Sequence, residues 1–260
     1  MTMRGGVLLA AAMTLAAQAV SAQTVMTWRV DGETREAIVY QPTANSPGGR
    51  APLVFSFHGR GDDMVNFQAT RMHTAWPEAI VVYFQGRPNG DGYRGWQVEK
   101  GQEGDPDLKL VDTALASLRE KFKVDEARIY STGFSNGAGF TYLLWAERPG
   151  VFAAFGTVAG RLRPSVKLTQ PKPLLNVAGR RDPQVRFGDQ RVAIEAAIQA
   201  DGVAGKEASC GRECTIYGGD TATPVVTWIH NGGHVYPDGT SERIATFFRD
   251  HPKLANKGSH

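Results

Sequence analysis

Apolar residues along this chain fall into two kinds of run: short unbroken blocks, and longer stretches in which they recur every third or fourth position. The blocks at 53–57, 79–84, 127–132 and 174–178, with the stretch 151–159, predict strands buried on both faces, as in a parallel sheet. The periodic stretches predict helices. Leu108, Val111, Leu115, Leu118 and Phe122 form one stripe behind Asp105 and Pro106, which suit the N-cap and first helical position. Others follow at 136–146 (Phe140, Leu143, Leu144), at 189–200 (Val192, Ile194, Ala197, Ile198), and from Thr240 or Ser241 to about His251 (Ile244, Phe247, Phe248). Residues 64–72, around Phe67, read as one further helix. Residues 25–30 and 36–41 predict an antiparallel pair turning at Asp31-Gly32, and 215–217 with 224–229 a late β pair. Strands alternating with amphipathic helices define an α/β class: a mostly parallel central sheet with helices on both faces. A polar connector is expected at 42–52. A long irregular segment, 85–104, follows a strand and should overhang the sheet's active face.

The first 22 residues stand apart from this pattern. A short basic start with Arg4, an alanine-rich apolar stretch from Val7 to Val20 and the small residues Ser21-Ala22 form a signal-peptide pattern, too short for a membrane span. The expected organisation is a signal peptide at 1–22 and a single catalytic domain at 23–260, exported to the periplasm or secreted, with no stable membrane insertion. Two cysteines, Cys210 and Cys214, lie close together in the sequence, and export permits a disulfide between them. A metal or redox role is disfavoured, because no histidine is near them in sequence and the spacing is not C-x-x-C. Net charge is only +3, without an aromatic-basic stripe, which argues against nucleic acid. No nucleotide-binding or zinc motif is found, and no metal or cofactor is expected. Oligomeric state is not legible.

The chemistry concentrates at residues 133–137, Gly-Phe-Ser-Asn-Gly, between a strand-like run and a helix-like one. In that context Gly-x-Ser-x-Gly is a sharp turn that lifts a serine oxygen above the sheet. A serine hydroxyl needs a base, and the base needs a carboxylate to fix its tautomer. His234 sits in a glycine-rich loop after a late strand and is the expected base; His230 and His251 read as structural. Asp182 follows the strand at 174–178 and is the expected acid, although aspartate before Pro183 would also cap a turn. The backbone N–H groups of Asn136 and Arg60 are the expected oxyanion donors, with Gly59 and Gly61 allowing the tight path and His58 bracing it. The Arg60 side chain reads either as solvated or as a binder of a substrate carboxylate or sugar oxygen. Trp96, Trp228 and Tyr236 read either as core or as walls of a substrate pocket.

On Phe57-His58-Gly59, the run 128–139 (Arg-Ile-Tyr-Ser-Thr-Gly-Phe-Ser-Asn-Gly-Ala-Gly), Gly179-Arg180-Arg181-Asp182 and Gly233-His234-Val235-Tyr236-Pro237, the chain resembles exported α/β-hydrolase esterases. The group is that of poly(3-hydroxybutyrate) depolymerase-like, feruloyl and acetylxylan esterases. The resemblance implies an α/β-hydrolase fold, a Ser135-Asp182-His234 triad and hydrolysis of carboxylic esters. It departs in placing Arg60 directly after the His-Gly pair, and the family's usual further cysteines are missing. With little chain after the last helix to form a polymer-binding domain, soluble or polysaccharide-linked feruloyl or acetyl esters are expected. Poly(3-hydroxybutyrate) or its oligomers are the alternative substrate. A serine peptidase and a non-catalytic ligand-binding protein on the same scaffold are the rival readings; peptide-amide assays and a covalent serine probe discriminate them.

Overall fold

A computed structural model describes residues 22–253; residues 1–21, which hold almost all of the expected signal peptide, and 254–260 lie outside the described residues. The strands are β1 (Gln23–Val30), β2 (Glu33–Tyr40), β3 (Ala51–Phe57), β4 (Ile80–Phe84), β5 (Arg87–Pro88), β6 (Arg94–Gly95), β7 (Val124–Phe134), β8 (Ala154–Val158), β9 (Leu174–Gly179), β10 (Glu207–Gly211), β11 (Cys214–Tyr217) and β12 (Val225–His230). The helices are α1 (Met64–Phe67), α2 (Met72–Ala75), α3 (Pro106–Lys121), α4 (Asn136–Glu147), α5 (Phe187–Ala200) and α6 (Thr240–Asp250). Ten strands make one sheet in the order β1-β2-β4-β3-β7-β8-β9-β12-β11-β10. Its centre, β4 through β12, is parallel, and antiparallel pairs close both edges.

The unbroken apolar blocks are explained by the pleat. Successive side chains of a strand point to opposite faces. Leu53, Phe55 and Phe57 of β3, and Ile80, Val82 and Phe84 of β4, enter the core under α3, α4 and α5. Val54, Val81 and Tyr83 enter the second core, under α1, α2 and α6. A strand covered on both sides has no polar face to show, so it reads as continuous hydrophobicity.

Four local expectations are corrected. The single helix at 64–72 is two short helices, α1 and α2, broken by a 3₁₀ turn and by Arg71 in the left-handed region at φ 59°. Strand β10 was not anticipated, because every one of its residues is exposed and it carries no apolar signal. Asp105 does not cap α3: it is left-handed (φ 63°), and its Oδ1 instead accepts from Gly101 N–H and Gln97 Nε2, both at 2.7 Å. Gln97 caps the helix, its Oε1 accepting from the N–H groups of Asp107 and Leu108 at 2.9 and 3.3 Å. Asp107, a first-turn acid that its sequence position alone would place at the surface or as a cap, is 1% exposed; its carboxylate pairs with Arg35 at 2.7 Å and accepts from Gln97 N–H. These contacts tie the 85–104 segment to α3 and β2.

The Cys210–Cys214 disulfide is formed, with a Cα–Cα distance of 5.1 Å. It spans the turn between β10 and β11, where the register shifts at a bulge.

Candidate active site

Strand β7 runs up the middle of the sheet and delivers Ser135 at its carboxyl end, one residue before α4 begins. The serine sits at φ 55°, ψ −113°, a conformation L-residues rarely adopt. Surrounding contacts hold it there. Ser135 N–H donates to Val158 O of β8 at 2.8 Å. A Cβ added to Gly133 would meet the Gly137 carbonyl at 2.4 Å, and one added to Gly137 would meet Phe57 O at 2.1 Å. The elbow is therefore packed backbone on backbone, and only glycine fits at those two positions.

Asp182 and His234 arrive on adjacent loops from β9 and β12. These strands pair in parallel, and the loops above them continue the pairing: Arg180 N–H donates to His230 O at 2.9 Å and Arg181 N–H to Gly232 O at 3.1 Å. A Cβ on Gly179 would lie 2.5 Å from Gly233 O, so glycine ends β9 for lack of room. Asp182 then divides its two oxygens. Oδ1 accepts from the N–H groups of Gln184 and Val185 at 2.8 and 2.9 Å, which is the turn-capping role. Oδ2 accepts from His234 Nδ1 at 2.8 Å and from Gln190 Nε2 at 3.1 Å. The two sequence readings of Asp182 are thus one per oxygen. Because the carboxylate can only accept, Nδ1 carries the proton, and Nε2 is left as the acceptor for the Ser135 hydroxyl, 2.9 Å away. The Asp182 side chain is inaccessible to solvent and that of His234 is 7% exposed.

Across the serine lies the loop after β3. His58, fully buried, has both ring nitrogens occupied: Nδ1–H donates to Gly59 O at 2.7 Å, and Nε2 accepts from Gly86 N–H at 2.9 Å. Burial lowers its basicity and keeps it neutral. It braces the loop, as its position in the sequence indicated. A Cβ on Gly59 would stand 3.1 Å from the Phe134 ring and 3.5 Å from Ser135 Cβ, so this loop passes directly beside the serine. The N–H groups of Arg60 and Asn136 make no backbone hydrogen bond among the described residues. For Asn136 this follows from its place in the first turn of α4, where helical N–H groups have no acceptor.

A cavity of about 700 Å³ opens over Ser135 and His234. The four candidate substrate contacts separate here. Trp96 borders the cavity, but it is 1% exposed and stacks on Phe140, with its indole N–H donating to His58 O at 2.9 Å, so nearly all of its ring is core. Trp228 borders neither this cavity nor its neighbour, and its ring is covered by the Arg243 guanidinium at 4.2 Å. Tyr236 lies in the second cavity, of about 510 Å³, which shares Asp62 and Phe134 with the first. Its hydroxyl is 2.9 Å from Ser241 Oγ. Arg60 does border the main cavity, but its guanidinium is committed to Asp91 and rests over the Tyr93 ring at 4.5 Å.

Several residues at the site escaped the sequence reading. The Asn136 side chain clamps the backbone of Trp96 from both sides, Oδ1 accepting from N–H at 2.7 Å and Nδ2 donating to O at 3.1 Å. Gln190, fully buried on α5, holds Asp182 and has no sequence signature. Arg161 and Arg163 also border the cavity. Their signal was available: they follow a strand's carboxyl end, where ligands gather in open α/β sheets.

The parallel sheet with its serine at the turn after a central strand defines an α/β-hydrolase fold. Its architecture matches the acetyl xylan esterase from Aspergillus awamori with a TM-score of 0.65 over 87% of this chain and 99% of that one, at 14% identity. Residues 35–172 match the family model described as "Esterase PHB depolymerase", and the chain belongs to that family. Among curated relatives it is 29% identical over 169 residues to the bifunctional acetylxylan esterase/xylanase XynS20E of Neocallimastix patriciarum, a match covering 61% of this chain and 23% of that protein. It is 25% identical over 213 residues to feruloyl esterase C of Emericella nidulans, covering 77% of this chain and 76% of the relative.

Proposed function

We propose that this protein is an exported serine carboxylic-ester hydrolase acting on feruloyl- or acetyl-type esters of plant polysaccharide or related small esters. The observation that carries the reading is the position of one imidazole. His234 stands 2.9 Å from Ser135 Oγ and 2.8 Å from Asp182 Oδ2, in the tautomer that can take the serine proton. The names of the acetylxylan and feruloyl esterase relatives support the substrate class.

In this mechanism Ser135 Oγ attacks the ester carbonyl as its proton passes to His234 Nε2. Asp182 holds the ring and stabilises its positive charge. The N–H groups of Asn136 and Arg60 receive the tetrahedral oxyanion; each such donor contributes roughly 3 kcal/mol to the transition state. The imidazolium returns its proton to the departing alcohol oxygen, leaving an acyl-serine. Water then attacks that acyl group with His234 again as base, releasing the acid and restoring the serine.

Hydrolysis of poly(3-hydroxybutyrate) or its oligomers is a second reading, favoured by the description of the family to which the chain belongs. One panel separates the two: methyl ferulate, acetylated xylan, short nitrophenyl esters and hydroxybutyrate oligomers, with Ser135→Ala as the blank. Turnover confined to hydroxybutyrate oligomers would replace the first reading with the second. Failure of every ester, together with failure of a fluorophosphonate probe to label Ser135, would refute both. Export is supported by the Cys210–Cys214 disulfide and by the pattern of residues 1–22. N-terminal sequencing of protein recovered outside the cytoplasm should begin at Gln23.

A further inference from the structure

Three arginines border the cavity over Ser135, and they are not equivalent. Arg60 is paired with Asp91. Arg161 and Arg163 form no ion pair among the described residues. Arg161 is exposed, whereas Arg163 is half-buried, and its Nε is buried with no hydrogen-bond partner. A guanidinium N–H withdrawn from water without an acceptor is costly unless a ligand satisfies it.

The segment that carries the pair is built to hold position. It leaves β8 through Ala159, which is left-handed at φ 50° and whose N–H donates to Val177 O at 2.9 Å. Gly160 then lies against the first turn of α4, where an added Cβ would meet Ala138 Cβ at 2.3 Å. Leu162 turns into the core and leaves the arginines on either side of it at the cavity. The backbone that carries both arginines is thereby held against α4, with Arg161 O 3.6 Å from a Cβ built on Gly139. The first turn of that helix carries partial positive charge and adds to their attraction for an anion. Two carboxylates also border the cavity: Asp91 is neutralised by Arg60, and Asp62 lies where the main cavity meets its neighbour. The wall formed by Arg161, Arg163, Val98 and Gly139 carries no acidic side chain.

We infer that Arg161 and Arg163 form a carboxylate-binding subsite, and that among the small esters the protein accepts, those bearing a free carboxylate apart from the scissile bond are preferred. This rests on the ester-hydrolase reading and deepens it. Guanidinium groups suit the task because their forked donors match a carboxylate's two oxygens. The anion can sit on the acyl side, as in a half-ester of a dicarboxylic acid, or on the alcohol side, as in an acylated hydroxy acid. The chemistry of recognition is the same.

The test compares matched pairs of substrates. For the acyl side these are mono-4-nitrophenyl succinate and 4-nitrophenyl butyrate; for the alcohol side, acetate release from 3-acetoxybutyrate and from its amide. The wild type should favour the anionic member of at least one pair in kcat/KM, and the pair that shows it locates the carboxylate. Arg161→Gln/Arg163→Gln should cut the anionic-to-neutral ratio by about 10- to 100-fold, the range of one or two charge-assisted hydrogen bonds. Arg161→Lys/Arg163→Lys should recover part of it. As a check that needs no variant, the wild-type preference should shrink when salt is raised, because screening weakens attraction between partly exposed charges. Equal turnover of both members of both pairs by the wild type would overturn the subsite, as would a ratio unmoved by the glutamine variant. Absence of turnover on all four esters, with Ser135 unlabelled by a fluorophosphonate, would instead overturn the hydrolase reading beneath it.

Discussion

The side chain of Asn136 and the backbone of Trp96 are joined by two reciprocal hydrogen bonds, at 2.7 and 3.1 Å. The residue after Ser135 is therefore assigned two tasks. In the proposed mechanism its N–H receives the oxyanion, while its carboxamide anchors the 85–104 segment that walls the cavity. Asn136→Ala keeps the first and removes the second. Each lost bond is worth about 1 kcal/mol net. We expect kcat/KM to fall about 10-fold, with faster proteolysis inside 85–104 than in the wild type. A variant that loses activity while its cleavage pattern is unchanged would contradict the anchoring role.

Removal of the Ser135 hydroxyl or the His234 imidazole should each reduce kcat by at least about 10³-fold, and the double variant should be little worse than either single one. Gln190→Leu deletes one donor to Asp182 Oδ2 but leaves the two backbone donors on Oδ1 and the imidazole on Oδ2. Its expected loss is smaller, about 10-fold in kcat with KM little changed, the range for a supporting residue whose removal lets a catalytic group drift. Additive losses in the Ser135/His234 double variant would count against a concerted pair.

Asp201 ends α5, with Oδ1 accepting from Lys172 N–H at 2.7 Å and Oδ2 buried without a partner. Burial raises its carboxyl from 3.8 to about 7. The folded state then binds this proton more tightly than the unfolded chain. The stabilisation is complete below the unfolded value near 3.8 and is lost as pH rises to about 7. Asp201→Asn keeps an acceptor for Lys172 without the charge. Its stability relative to wild type should therefore rise from pH 4 to pH 8, by about 1–3 kcal/mol, a range reduced for the residue's partial exposure. Denaturant melts at the two pH values measure this; a difference independent of pH would exclude Asp201 as the source.

Arg35 and Asp107 pair at 2.7 Å with both side chains nearly inaccessible to solvent. Asp107→Ala strands a buried guanidinium and should cost about 3–5 kcal/mol. It also frees Gln97 N–H, so activity should be lost at lower denaturant concentration than the bulk unfolding of the variant. Coincident loss of both would show that the pair supports the whole fold rather than the cavity wall.

The parallel strands and the loops that bring Ser135, Asp182 and His234 together were legible because each leaves a strong local mark. A strand buried on both faces is an apolar block, an elbow needs glycine on both sides of its serine, and a loop above a strand needs glycine where it meets its neighbour, as at Gly179. What the sequence left unread depends on partners far along the chain. Asp107 looks like an ordinary first-turn acid until Arg35 is placed beside it. Gln97 displaces Asp105 as the cap because the irregular segment folds back on α3. Trp96 could not be divided between core and pocket, since an aromatic in a polar loop has the same local signature in either place. Arg161 and Arg163 went unremarked because two arginines in a loop are usually solvated; only the cavity distinguishes them.

Gly133, Gly137 and Gly160 each abut other parts of the molecule with no space for even a methyl group. Combinatorial libraries that randomise these three codons will yield mostly dead clones, whatever substrate is used for selection. Productive diversity lies in the neighbouring cavity wall, at Val98, Gln102, Arg161 and Arg163, which border open volume. New specificities should be sought there, with the elbow kept as an invariant chassis.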